Sequence, residues 1–236
     1  MTTFEPFQND GYCHCCRRDC TFSAKLGWLR DHYKCGACGS IPRQRHLQYV
    51  LDTYFIGWED KSMHESSPSN RFLANYSKNY SRSQYFPSVE PGELKDGVRS
   101  EDLEQLTFKD EEFDIFVTQD VFEHIFRPDL AAKEIMRVLR PGGIHIFTAP
   151  RKRDLDSSRP RPRVDDGGEV EYLLEEEYHG NPIGDGKSLV TWDYGRDFEH
   201  LLSSWCNSPT ATYLTRDRSV GIDAELIDVF VSKKSG

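Results

Sequence analysis

Residues 113–150 switch between two hydrophobic periods. FDIFVT at 113–118 is a nearly continuous apolar run, rich in aromatic and β-branched residues, as in a strand buried on both faces. The polar residues Gln119 and Asp120 end it. Pro128 suits the first turn of a helix, where its missing N–H has no partner to lose. Ala131, Ile135, Val138 and Leu139 then recur at helical spacing, with Lys133, Glu134 and Arg137 as a wet face. Pro141, Gly142 and Gly143 stop the helix, and IHIFT at 144–148 returns as a strand. The pattern predicts two parallel strands joined by a right-handed crossover, with any ligand outside their carboxyl ends.

Elsewhere the periods are shorter. RQRHLQYVLDTYFI at 43–56 places Leu47, Val50, Leu51 and Tyr54 on one helical face, with His46 read as a surface histidine. Residues 71–76 are expected to open a helix and YSRSQYF at 80–86 to form a strand. DFEHLLSSW at 197–205 reads as a short amphipathic helix. Residues 211–215 and 226–232 read as a terminal antiparallel pair, with 216–225 as their polar turn. His145 lies in a buried strand and is read as core; Cys206 stands alone.

A chain of 236 residues, 37% hydrophobic, is long enough for one good core and a small appendage. No apolar run approaches the roughly 18 residues of a membrane span. MTTFEPFQNDGY has neither the basic nor the apolar region of a signal peptide, so a cytoplasmic setting without disulfides is expected. A formal net charge of −9 disfavours nucleic acid as a partner, because such affinity rests on excess Lys and Arg. A local basic patch stays open, and nothing in the pattern sets an oligomeric state.

Six of the seven cysteines fall between positions 13 and 38. Cys13-x-x-Cys16 and Cys35-x-x-Cys38, with 18 residues between the pairs, have the spacing of a four-thiolate zinc site. Two thiolates on one tight turn can reach the same ion at about 2.3 Å, and two such turns complete a tetrahedron. With no coordination position left open, the ion would be structural, folding a segment too short for its own core. Cys15, Cys20 and His14 are spare, which leaves the first pair's ligands less determined than the second's.

FDIFVTQDVFEHI at 113–125, followed by VLRPGGIHIFTAP at 138–150, resembles the class I S-adenosylmethionine-dependent methyltransferases. EDLEQLTFKDEEFD at 101–114 is similar to the family's adenine-side loop, and the resemblance extends over roughly residues 61–232. It implies a Rossmann-like, three-layer α/β sheet closed by an antiparallel strand pair. The implied organisation is a zinc-ribbon-like module at 1–42, a connecting helix at 43–60, and a methyltransferase-like domain at 61–236 with an acceptor insertion at 151–195.

The same resemblance implies which residues meet the cofactor, S-adenosylmethionine. Glu65 takes the acidic position after the first strand, but Ser67 and Ser69 stand where glycines are expected. Glycine there permits positive φ and close backbone approach to the cofactor's methionine part; serine must adopt that geometry at a cost, and Pro68 restricts it further. Gln84 replaces the ribose-binding acid, Asp102 matches the adenine-side carboxylate with Leu103 adding an N–H, and Gln119 and Asp120 lie nearest the reacting sulfur. For Asp102 a turn cap is an equal reading.

Methyl transfer needs mainly proximity and orientation, with a base when the acceptor is a hydroxyl. His124 and His179 are the candidate bases, His124 also reading as a cap or pocket wall. Tyr178, Trp192 and Tyr194 in the insertion fit a small polar acceptor. The basic stretch RKRDLDSSRPRPR at 151–163 is read either as a seat for an anionic acceptor or as a solvated loop, its charge balanced by the acidic residues at 169–177. The expected reaction is methyl transfer to a small-molecule or glycan-type acceptor, a hydroxyl ahead of an amine. A binding protein on a degenerate fold, docking its partner through the zinc module, and a nucleic-acid or protein methyltransferase are the rival readings.

Overall fold

The computed structural model describes residues 4–68, 70–164, 169–180 and 186–236. The chain opens with a three-stranded antiparallel sheet, β1 (Phe7–Cys13), β2 (Arg18–Ala24) and β3 (Tyr33–Cys35), with a helical turn, α1 (Leu29–His32), before β3. Its small interior holds Phe22, Tyr33, Cys13 and Cys35.

α2 (Pro42–Tyr54) follows, with Pro42 in its first turn. Arg45 is fully buried under the small sheet, near the rings of Phe22 and Tyr33. Its guanidinium donates to the carbonyls of Tyr33 (2.8 Å), Gly221 (2.6 and 2.9 Å) and Ser40. Gly221 has φ +68°, and a Cβ there would lie 2.6 Å from both Arg45 Nε and a Phe22 ring carbon. Glycine is therefore required by backbone conformation and by space.

The main sheet contains β4 (Ser62–Ser66), β5 (Asn79–Gln84), β6 (Leu94–Lys95), β7 (Val98–Ser100), β8 (Phe113–Gln119) and β9 (Leu139–Thr148). β16 (Thr210–Tyr213) and β17 (Val229–Lys233) complete it, in the order β16-β17-β9-β8-β4-β5-β7-β6. β7, β5, β4, β8 and β9 are parallel; at one edge β17 pairs antiparallel with β9 and β16 antiparallel with β17, and at the other β6 pairs antiparallel with β7. α3 (Pro128–Val138) crosses between β8 and β9, as the 113–150 pattern predicts, and α4 (Phe198–Cys206) packs beside it.

The strand alternation divides the core into two layers. Ile115, Val117, Ile144, Ile146, Val229 and Val231 meet Leu47, Val50 and Leu51 of α2. Phe116, Phe147 and Phe230 face the opposite way, onto α3 and α4, and are fully buried. Each such aromatic contributes about 2–3 kcal/mol relative to exposure. The expected Rossmann-like sheet with its antiparallel terminal pair is thus present.

Three expectations fail. α3 ends at Val138 and β9 begins at Leu139, so Pro141, Gly142 and Gly143 lie inside the strand and do not stop the helix. Residues 71–76 form turns, not a helix. Leu73 supplies a buried anchor, Asn70 Oδ1 accepts the Phe72 N–H at 2.9 Å, and the 12 residues between β4 and β5 carry no sustained apolar stripe. His46 is also not on the surface: it is fully buried, with Nδ1 2.6 Å from Ile227 O.

The insertion folds as short antiparallel ladders. β10 (Arg159–Pro160) pairs with β15 (Trp192–Asp193), β11 (Pro162–Val164) with β12 (Val170–Tyr172), and β13 (Tyr178–Gly180) with β14 (Lys187–Leu189). Lys152, Arg159 and Arg161 converge on Asp193, at 2.6, 3.3 and 3.0 Å. Arg163 pairs with Glu171 (2.6 Å), Arg161 also with Glu177 (3.1 Å), and Arg151 and Arg153 with Asp228 (2.8 Å each). The basic stretch is therefore neutralised largely from within the chain.

Candidate functional site

Cys13 and Cys16 flank the turn after β1, and Cys35 and Cys38 the turn after β3. The four sulfurs lie within 4.8 Å of one another, with Cys13 Sγ and Cys38 Sγ 3.8 Å apart. Sulfurs about 2.3 Å from one tetrahedral ion stand about 3.8 Å apart, so the cluster is consistent with a zinc-binding module. Its hydrogen bond with Cys15 pulls the Cys13 thiol down to about 4, while burial pushes the Cys16 and Cys38 thiols up. The spare residues have other contacts: His14 Nδ1 meets Asp52 Oδ2 at 2.7 Å, and Cys20 Sγ lies 3.4 Å from Cys35 Sγ.

At the carboxyl end of β4, Glu65 is buried and accepts hydrogen bonds from Tyr80 OH (2.7 Å) and Gln119 Nε2 (2.8 Å). Burial pushes its carboxyl up to about 7, against the pull of those two bonds. Ser67 has φ +56°, the left-handed conformation in which glycine is at home, and its N–H donates to Ser83 O at 2.9 Å. Serine thus takes the turn that the resemblance asks of glycine. Ser69 lies outside the described residues.

Gln119 Oε1 is buried and has no hydrogen-bond partner among the described residues. An unpartnered buried acceptor beside Glu65, at the left-handed turn after β4, fits the ammonium end of S-adenosylmethionine. Gln84 ends β5, and its carbonyl accepts the Glu101 N–H at 3.1 Å. Asp102 Oδ1 accepts the Glu104 N–H at 2.8 Å, capping its own turn, while the Leu103 side chain is buried in the core.

Asp120 also has a positive φ, +52°. Its Oδ2 receives Arg30 Nη2 and Arg43 Nε, each at 2.7 Å, and its Oδ1 receives Thr148 Oγ1 at 3.0 Å. Burial alone would raise this carboxyl, but the two guanidiniums hold it below the usual carboxylate range. The carboxylate is therefore engaged by the N-terminal segments. Neither arginine is marked by any local pattern in the sequence.

Beyond Asp120, the residues 122–126 are strapped to the insertion. Tyr194 OH donates to Phe122 O (2.8 Å), the Thr191 N–H to Glu123 O (2.7 Å), and Thr191 Oγ1 to Ile125 O (2.6 Å). His124 Nδ1 lies 2.7 Å from Leu189 O, which can only accept, so this nitrogen carries the proton and Nε2 is bare. Burial lowers the His124 pKa, keeping the ring neutral.

The strap brings His179 to the same place. The His124 and His179 rings meet edge to face with centroids 5.1 Å apart. Glu123, 1% exposed, lies between them: its Oε1 is 3.9 Å from His124 Nε2 and 3.9 Å from His179 Nδ1. Both candidate bases thus share one site, although 55 positions separate them in the sequence. Glu123 was the member that sequence reasoning missed; its only signal was its place in the Glu-His pair.

Residues 61–147 match a protein family described as a methyltransferase domain. No curated protein matches the chain in sequence. Among solved structures, it resembles an S-adenosylmethionine-dependent methyltransferase from Mesorhizobium loti at 10% identity and a TM-score of 0.51, over 80% of this chain and 98% of the other. A putative S-adenosylmethionine-dependent methyltransferase from Listeria monocytogenes is similar at 8% identity and a TM-score of 0.51, over 83% of this chain and 99% of the other. These likenesses speak for the fold, while the family match covers Glu65, Gln84, Asp102 and Gln119. The parallel sheet with its antiparallel terminal pair is thus the fold of the class I S-adenosylmethionine-dependent methyltransferases, and residues 61–147 match their methyltransferase-domain family.

Proposed function

We propose that the chain methylates a hydroxyl group of a small-molecule or glycan-type acceptor, with an amine as the next choice. The observation that carries this reading is the meeting of Glu123, His124 and His179 beyond the carboxyl end of β8, under the insertion. The bound cofactor supplies a methyl group already activated on a positively charged sulfur. Gln119, Glu65 and the turn at Ser67 hold its amino-acid end, and Gln84, Asp102 and Leu103 line the nucleoside side.

His124 is built to accept the hydroxyl proton on Nε2, because its Nδ1–H is anchored on Leu189 O and its ring is neutral. His179 stands opposite, with Nε2 3.6 Å from Glu177 Oε1, and offers the proton a way out. Uptake of that proton by His124 would leave the acceptor oxygen free to take the methyl group that the cofactor would supply. Because the described basic side chains of the insertion are already paired, an anionic acceptor would have to displace a carboxylate. We therefore favour a neutral one.

Cys13, Cys16, Cys35 and Cys38 are proposed to hold one structural Zn2+. Free thiols in this arrangement suit a reducing, cytoplasmic setting. In the structure, no helix among the described residues is long and apolar enough to cross a membrane. The test is calorimetric titration with S-adenosylmethionine and S-adenosylhomocysteine, followed by transfer of labelled methyl to a panel of alcohols, sugars and amines. Micromolar binding with label on hydroxyl compounds is expected. Label only on amines would overturn the acceptor assignment, and failure to bind either cofactor form would overturn the reading altogether.

A further inference from the structure

We propose that Glu123, His124 and His179 form a second metal site, for a divalent transition ion held by two imidazoles and one carboxylate. Glu123 provides the first argument. Its carboxylate is buried, and neither oxygen has a hydrogen-bond partner among the described residues. A buried carboxylate without a partner is costly, and a cation is the ligand that removes the cost. The available side chains do not: the nearest nitrogens stand off at 3.9 Å, too far for a hydrogen bond.

The second argument is the arrangement of the imidazoles. His124 presents bare Nε2 because Nδ1 is committed to Leu189 O at 2.7 Å. His179 presents Nδ1, while its Nε2 faces Glu177 Oε1 at 3.6 Å. A metal-binding histidine typically gives its other N–H to a backbone carbonyl or a carboxylate, which fixes the ring and raises its basicity. His124 has that support from Leu189 O, and Glu177 stands just beyond hydrogen-bond distance of His179 Nε2. The three ligand atoms lie within 4.8 Å of one another, and an ion about 2 Å from each would draw them slightly inward.

Two nitrogens and one oxygen suit Zn2+, Fe2+, Co2+ or Mn2+ better than Mg2+ or Ca2+, which prefer all-oxygen shells. Three protein ligands leave at least one position open, unlike the four-cysteine cluster. The site's use rests on the proposed methyl transfer: an acceptor hydroxyl in the open position would lose its proton more readily while its oxygen stayed on the ion. Occupancy would then leave His124 as a ligand to the ion and not as the base.

The experiment uses untagged full-length protein with zinc retained in the cysteine cluster, titrated with Co2+ without cofactor or acceptor. One further Co2+ per chain is expected, with visible bands but no thiolate charge-transfer absorption. His179→Ala, at a partly exposed position that should not disturb folding, and Glu123→Gln should abolish it. Glu177→Gln should weaken it by about 10-fold. Absence of the second equivalent in the wild type, or its survival in both His179→Ala and Glu123→Gln, overturns the proposal. Because cobalt binding is read without methyl transfer, an inactive protein that still binds the ion would count against the proposed function alone.

Discussion

Arg30 Nη2 lies 2.7 Å from Asp120 Oδ2, joining the cysteine-bearing module to the end of the central strand 90 residues later. Arg43 reaches the same oxygen from α2. All three side chains are largely buried, so the attraction is weakly screened, and loss of the anion would leave two guanidiniums facing each other. Asp120→Asn should therefore destabilise the fold by about 3 kcal/mol in urea unfolding. An effect below about 1 kcal/mol would mean that the arginines find other partners, as surface ions do.

The turn after β4 yields a prediction of opposite sign. Ser67 holds a left-handed conformation that costs a non-glycine residue about 1–2 kcal/mol. Ser67→Gly should leave stability unchanged or raise it by up to about 1 kcal/mol, with cofactor affinity retained. Ser67→Val should lower stability by about 2 kcal/mol, because a β-branched side chain fits that region poorly. Unfolding curves and cofactor calorimetry of both variants would check this; a valine variant as stable as the wild type would show that the turn can relax.

Glu65 makes stability depend on pH. Its carboxyl is raised to about 7 in the folded chain, so the folded state holds a proton that the unfolded state has already released. Its stabilising contribution is complete in acid, below the unfolded carboxylate's range, and is lost as pH rises through about 7. The loss should approach about 3 kcal/mol between pH 4.5 and 8. Glu65→Gln removes the titrating group and should flatten this slope in urea unfolding measured across that range; parallel slopes for both proteins would exclude Glu65 as its source.

Stripping the zinc proposed for the cysteine cluster should unfold more than the first three strands. Structural zinc supplies folding free energy directly, and Arg30 carries the loss to Asp120. A strong chelator should lower the unfolding temperature by about 10 °C or more. It should also weaken cofactor binding, as followed by calorimetry. Unchanged cofactor affinity in the stripped protein would show that the module and the sheet are energetically separate.

What could be read from the chain divides along a physical line. The 113–150 unit was legible because local periodicity dictates a buried strand and a helix with one apolar stripe, although the helix ends before Leu139 and not at the glycines. The cysteine pairs were legible because metal geometry requires two tight turns. His46 was misplaced because its burial depends on Ile227, 181 residues away. The Arg30–Asp120 contact and the role of Glu123 are likewise products of tertiary packing, with no local period to announce them. The helix expected at 71–76 fails for the opposite reason: the segment has too few apolar positions to hold one against the sheet.

The contact between Arg45 and Gly221 bears on how the molecule comes into being. It links positions 176 residues apart, and contacts of such separation slow folding because the intervening chain must be closed first. During synthesis the cysteine-bearing sheet emerges long before the loop that covers it. Until Gly221 arrives, Phe22 lacks its lid and Arg45 lacks two of its hydrogen bonds. Of these two segments the first to be made thus waits for the second to be finished, with its thiols and apolar face uncovered in the meantime.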